Sequence, residues 1–223
     1  NQIKNSKKGL SFNDKGKLNM RMGINDFSAN DLISNMDENN LSRVFKIFGD
    51  ERYSKKIARE IVRIREFKTI KTEDLVQIID SVKKYQKTKI HNSTKIFQAL
   101  RILVNKEISE LINALINSFH LIPIGGVIAV VTFHSIEDKI VKFFFKHYSE
   151  ERNSSRYMPN EEVSEKCFRI INKKPILPSF KEVSQNPPSR SAKLRYAIKI
   201  NQKCNFNDLR EKFKYLTNIE ELR

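Results

Sequence analysis

The chain has 223 residues, 39% hydrophobic and 30% charged, and its 42 Lys and Arg against 26 Asp and Glu give a formal net charge of +16. That content supports a packed core and excludes a disordered chain, and no apolar run approaches the ~20 residues of a membrane span. The opening NQIKNSKKGLSF lacks the apolar centre of a signal peptide and lacks an initiator Met, so the chain is expected to be soluble, cytoplasmic and a candidate fragment. Cys167 and Cys204 show no metal spacing, which fits a reduced compartment. A basic excess of this size attracts polyanions, nucleic acid first among them, although a lysine-rich proteome would produce the same balance.

Residues 1–27 show no sustained period and read as a long loop. Helices begin at Ser28, where Ser28 and Asp31 form a capping box. A second helix is expected over Glu38–Phe48, with Leu41, Val44, Phe45 and Phe48 on one face and Gly49 as its stop. A third lies in DERYSKKIAREIVRIREF, and a fourth follows Thr72. These make an all-helical region over residues 28–90. TKIFQALRILVNKEISELINALINSF then steps apolar residues by three or four throughout, predicting one helix ~39 Å long.

HLIPIGG turns the chain into VIAVVTF, which is apolar throughout and reads as a strand buried on both faces of a parallel sheet. Helix, tight turn, buried strand and helix together point to an α/β fold over residues 91–200. CFRIINKK and KLRYAIKI read as two further strands. Their connection, PILPSFKEVSQNPPSRSA, has no evident helix, so antiparallel pairing is expected. The tail, residues 201–223, is charged and helix-compatible, with no role assigned.

The residues with chemical potential centre on HSIED. Ser135 and Asp138 match a capping box, and Glu137 with Asp138 favour the helix dipole. His134 falls at the C-terminal end of the strand, where open α/β sheets place their ligand crevice, and stays open between a substrate contact and a satisfied structural histidine. A metal site has little support without a second His or Cys at ligand spacing, and a Ser–His hydrolase has little because neighbours on a strand end diverge. In NPPSRSAKLR, the residues Arg190, Lys193 and Arg195 suit phosphate contacts, with a solvated loop as the alternative. DKGKLNMRM holds Arg21 between two methionines without a role that spacing can assign.

Five segments in order, GLSF…DKGKLNMRM, FGDERYSKKIAREIVRIR, HNSTKIFQALRILVNKE, PIGGVIAVVTFHSIEDKIVK and NPPSRSAKLR, resemble the RsmH (MraW) family. Its members are S-adenosylmethionine-dependent methyltransferases that modify the 4-amino group of a decoding-region cytidine in small-subunit (16S) ribosomal RNA. The resemblance implies a class I methyltransferase with a Rossmann-like sheet, of which this chain would hold the C-terminal half, and an inserted helical domain. It implies residues 1–27 as an active-site loop and Gln2, seven residues before GLSF, as a cofactor contact.

It also implies His134 and Ser135 as a wall of the base pocket, with Arg21, Arg52, Arg101, Arg190, Lys193 and Arg195 toward RNA. The small ribosomal subunit would be the partner, and a homodimer is compatible. The chain departs from the family at Asn19, where an acid is usual, and at Leu10, Lys17, Lys139 and Pro188. Asn19 puts a general-base role at that position in doubt. The competing reading is a non-enzymatic basic RNA-binding module.

Overall fold

The computed structural model describes residues 9–14, 16–23, 25–83, 91–150 and 166–222. Two compact units are present, one formed by Asn1–Ser109 with Tyr215–Arg223 and the other by Glu110–Lys214. None of the described helices is long and apolar enough to cross a membrane.

In the first unit, α1 (Ala29–Asn35) starts as the sequence predicts. Asp31 N–H donates to Ser28 Oγ, and the Asp31 carboxylate accepts from the Ser28 N–H at 2.8 Å. Helix α2 (Glu38–Phe48) buries Leu41, Val44, Phe45 and Phe48 and ends at Gly49. A Cβ at Gly49 would lie 2.6 Å from the Lys95 carbonyl oxygen, so glycine is required by a close backbone approach. Helix α3 (Ser54–Arg65) buries Ile57, Ala58 and Ile61, and α4 (Thr72–Lys83) buries Leu75, Ile78 and Ile79.

The long helix expected after Thr94 is two helices. Helix α5 (Thr94–Asn105) stops at Lys106, which is left-handed at φ 48°, and α6 (Glu107–Leu121) starts beyond it. The cause lies far away in sequence. Glu220, fully buried at the end of α9 (Asn207–Glu220), accepts from the Ile108 and Ser109 N–H groups at 2.8 and 2.9 Å. That carboxylate satisfies the free donors a new helix N-terminus exposes. The charged tail therefore has a structural role that its sequence did not show.

In the second unit, β1 (Val127–Thr132), β2 (Phe168–Arg169) and β3 (Lys193–Lys199) form one sheet in the order β1-β3-β2. Between β1 and β2 runs α7 (Ser135–His147). The β2–β3 pairing is antiparallel as expected. Their connection nevertheless holds a short helix, α8 (Phe180–Gln185), and a 3-10 turn over Pro187–Ser191.

Strand β1 corrects the parallel, doubly buried expectation. It pairs antiparallel with β3, and Val127 and Val131 remain 55% and 52% exposed. Its other face carries buried Ile128 and Thr132 and packs on α7, so only one face is covered. Apolar character on both faces had suggested burial on both. The core adds Phe119, Phe144, Phe168 and Phe206, whose rings meet at 5.0–5.5 Å. Buried Lys199 donates through Nζ to the Phe119 and Ile122 carbonyls at 2.8 Å each, closing the C-terminal end of α6.

The cysteines, expected as separate reduced thiols, are joined as a disulfide. Cys167 precedes β2 and Cys204 follows β3, so pairing of those strands brings their Cα atoms to 6.1 Å, within disulfide span.

Candidate active-site and RNA-contact residues

Three of the five motif segments meet inside the first unit. Asn105, at the end of α5, donates through Nδ2 to the Met20 carbonyl and accepts through Oδ1 from Met22 N–H and Asn25 Nδ2, all at 2.8–2.9 Å. One side chain thus fixes the Met-Arg-Met loop, and Met20 is buried with φ 58°. Arg21 donates to Asn19 Oδ1 at 2.9 Å and to the Asn25 carbonyl at 3.1 Å. Asn19 therefore keeps an acceptor toward Arg21 without carrying a charge. Phe12 of GLSF stacks on His91 of HNSTKIF at 4.2 Å, nearly parallel. From FGDERYSKK, the Asp50 and Phe48 carbonyls accept from Lys95 and Gln98 of α5.

The start of α7 corrects the HSIED reading by one residue. His134, not Ser135, is the N-cap. Its Nδ1 accepts from Glu137 N–H at 3.4 Å, while the Glu137 carboxylate accepts from Phe133 and His134 N–H at 2.8 and 3.3 Å. Because Nδ1 acts as an acceptor, the proton of the neutral ring sits on Nε2. That Nε2 is sealed from solvent and lies 3.3 Å from Glu137 Oε1, off-line for a hydrogen bond. Burial would raise the Glu137 carboxyl. His134 and the two backbone N–H groups outweigh burial and hold it below the usual glutamate range. Ser135 is the exposed first residue of the helix.

Asp138, released from capping, accepts from Arg195 Nε at 2.7 Å and from Lys193 Nζ at 3.0 Å. Asp138 and Arg195 side chains are 13% and 11% exposed, and Lys193 is 40% exposed. Burial again pushes the carboxyl up, but the two cations prevail and Asp138 lies below the usual aspartate range. The PIGG…HSIED and RSAKLR segments are thereby locked together.

The candidate residues divide between the units. Gln2 lies outside the described residues. In the first unit, Arg52 is exposed ahead of α3, and Arg101 is tied to Glu107 by bonds of 2.7 and 3.0 Å. In the second, Arg190 is exposed on the 3-10 turn, whereas Lys193 and Arg195 already hold Asp138. Sequence reasoning missed Asn105 as the loop anchor and Glu137 as the partner of His134. For Glu137 a signal existed, an acid three residues after His134, but the Ser135–Asp138 pair obscured it.

The MraW methylase family model matches residues 1–200. Ribosomal RNA small subunit methyltransferase H of Afipia carboxidovorans is 43% identical over 197 residues, 88% of this chain and 59% of its own length. The protein of that name from Xanthobacter autotrophicus is 41% identical over 201 residues, 90% and 58%. The one from Bartonella henselae is 39% identical over 211 residues, 94% and 61%. This chain thus spans about three-fifths of the length of these curated relatives. With the match running across residues 1–200 and through every motif segment described above, the chain belongs to the MraW methylase family.

Proposed function

We propose that this chain takes part in S-adenosylmethionine-dependent methylation of the 4-amino group of a decoding-region cytidine in small-subunit rRNA. In this reading it is part of a class I methyltransferase whose Rossmann-like sheet is interrupted by the helical region, and it works in the cytoplasm on the small subunit. The observation that carries the reading is the family match over residues 1–200. The relatives bear the name of small-subunit ribosomal RNA methyltransferases, and the charge of +16 suits an RNA substrate.

The chain has six glycines and no Gly-x-Gly segment. The glycine-rich donor loop that the family resemblance implies is therefore assigned to the portion of the relatives this chain does not span. Gln2 is the one donor contact assigned here.

What this chain supplies is the acceptor side. Methyl transfer from a sulfonium is an in-line displacement, which requires an aligned amine and an excluded solvent. The cytidine must be unstacked to present its amine. With Nδ1 in the cap and Nε2 sealed beside Glu137, His134 is suited to forming a fixed wall of the base pocket while another group takes the proton. Ser135 adds an exposed hydroxyl beside it.

The test is transfer of label from S-adenosylmethionine to small subunits by the natural full-length protein. Label in a cytidine is expected, and its absence overturns the reading. His134→Asn keeps an N-cap acceptor but removes the ring from the pocket wall, so it should fold normally and transfer more slowly. Unchanged transfer by that variant removes His134 from the site.

A further inference from the structure

The sheet of the second unit has a gap in its outer edge. Strand β2 pairs with β3 only at Phe168 and Arg169, and the chain rejoins β3 at an isolated bridge between Ile176 and Leu194. Between those points residues 170–175 face only 195–197, so the edge bulges away from β3. A cavity of about 810 Å³ opens there, bounded by α7, the bulge and β3.

Three features define what could fill it. Its ionisable lining is cationic, with Lys142, Lys146, Lys166, Arg169, Lys173 and Arg195 against Glu150 alone. Arg195 is committed to Asp138, and Lys146 lies 3.8 Å from Glu150. Lys142, Arg169 and Lys173 are exposed and have no ion pair among the described residues. The second feature is Tyr196, which borders the gap. The third is backbone. Leu194 exchanges both of its main-chain hydrogen bonds with Ile176 at 2.9 Å, and Ile200 N–H donates to the Cys167 carbonyl. The two-residue repeat of a strand therefore turns the Tyr196 N–H and C=O toward the gap.

We propose that this gap is a docking groove for the phosphodiester backbone of single-stranded RNA, separate from the His134 side of the unit. Uncommitted cations at the rim suit phosphates, and the Tyr196 N–H facing the gap adds a backbone donor to a phosphate or sugar oxygen. The choice of RNA among polyanions rests on the proposed rRNA substrate. The groove would hold a flanking stretch of the strand that carries the target, not the target itself. An acidic peptide adding a strand to the open edge is the competing occupant.

The test uses the full chain, a fluorescein-labelled 12-nucleotide single-stranded RNA of mixed sequence, and anisotropy over a salt series. Lys142→Ala/Arg169→Ala/Lys173→Ala should weaken binding about ten-fold or more and lower the salt slope by about 2, as loss of three phosphate contacts requires. Lys46→Ala/Lys212→Ala/Lys214→Ala removes the same charge from exposed sites elsewhere and should change binding little. Equal losses in the two variants would mean general charge attraction and overturn the groove. So would displacement of the RNA by polyglutamate at equal charge concentration, which would assign the groove to acidic peptides. Far-UV circular dichroism confirms that both variants fold. Because the readout is binding, the groove can stand where methyl transfer fails, and methyl transfer can stand where the groove fails.

Discussion

Helices α1 and α2 are closed at their starts by close neighbours in sequence: Ser28 with Asp31, and Asp37 with the Asn40 N–H. Elsewhere, comparable polar groups reach across the chain, as Glu220 does to the start of α6. Asp138 finds Lys193 and Arg195 more than fifty residues on, and Lys199 closes the end of a helix eighty residues earlier. Local caps stabilise one helix each and fail gently. Long-range buried charges couple several elements, and removing one partner strands the other in a poorly solvated place. The long-range buried charges should therefore be the more sensitive to single polar substitutions.

The largest effect is expected at Asp138. Asp138→Ala leaves Arg195 buried without its carboxylate and should destabilise the protein by about 3 kcal/mol or more in urea unfolding. Lys193→Ala, at the exposed arm of the same cluster, should cost less than about 1 kcal/mol. Similar losses from the two variants would break the distinction between buried and exposed arms. Next comes Lys199→Met, which keeps the aliphatic volume but leaves the Phe119 and Ile122 carbonyls without their donor. A loss of about 2 kcal/mol is expected in the same assay.

The same division governs what could be read from sequence. Helix α2 was legible with both ends because its apolar period and Gly49 are local signals. The break at Lys106 was not, since the period continues through it and the carboxylate that starts α6 comes from Glu220. The strands and their β2–β3 pairing were visible, whereas the open face of β1 was not, because valines at 127 and 131 look the same buried or exposed. At the candidate site, position singled out His134, which the structure makes the N-cap of α7. Its cap was assigned to Ser135 because one carboxylate pattern, Ser-x-x-Asp, fitted a familiar template, while Asp138 had a distant partner invisible to spacing. Lys193 and Arg195 stood out as clustered cations for the same reason: their counter-charge lies 55 and 57 residues away.

Acid titration offers a smaller, graded comparison. Glu137 and Asp138 both have folded-state values below their ordinary ones, so each binds protons less readily folded than unfolded. Their contribution to stability is present above the unfolded value of about 4 and is lost as pH falls through the lowered folded value. Asp138→Asn should therefore flatten the fall in stability below about pH 4, measured by urea midpoints across pH. An unchanged acid limb would show that the Asp138 cluster does not contribute to it.

The smallest effect should come from the first unit's own cap. Ser28→Ala removes the hydroxyl that accepts the Asp31 N–H and donates to the Asp31 carboxylate. A loss of about 1 kcal/mol is expected, confined to the seven-residue α1. The Asp31 carboxyl is held low first by that hydroxyl, then by the Ser28 backbone N–H, against a small opposing effect of burial, with Arg21 adding to the lowering. Without the hydroxyl its value should move up toward the ordinary range, visible in a carbon-detected NMR titration, while the Asp138 titration stays where it was. A shift at Asp138 as well would mean that the local cap is not independent of the long-range cluster, and the contrast between local and long-range capping would no longer describe the molecule.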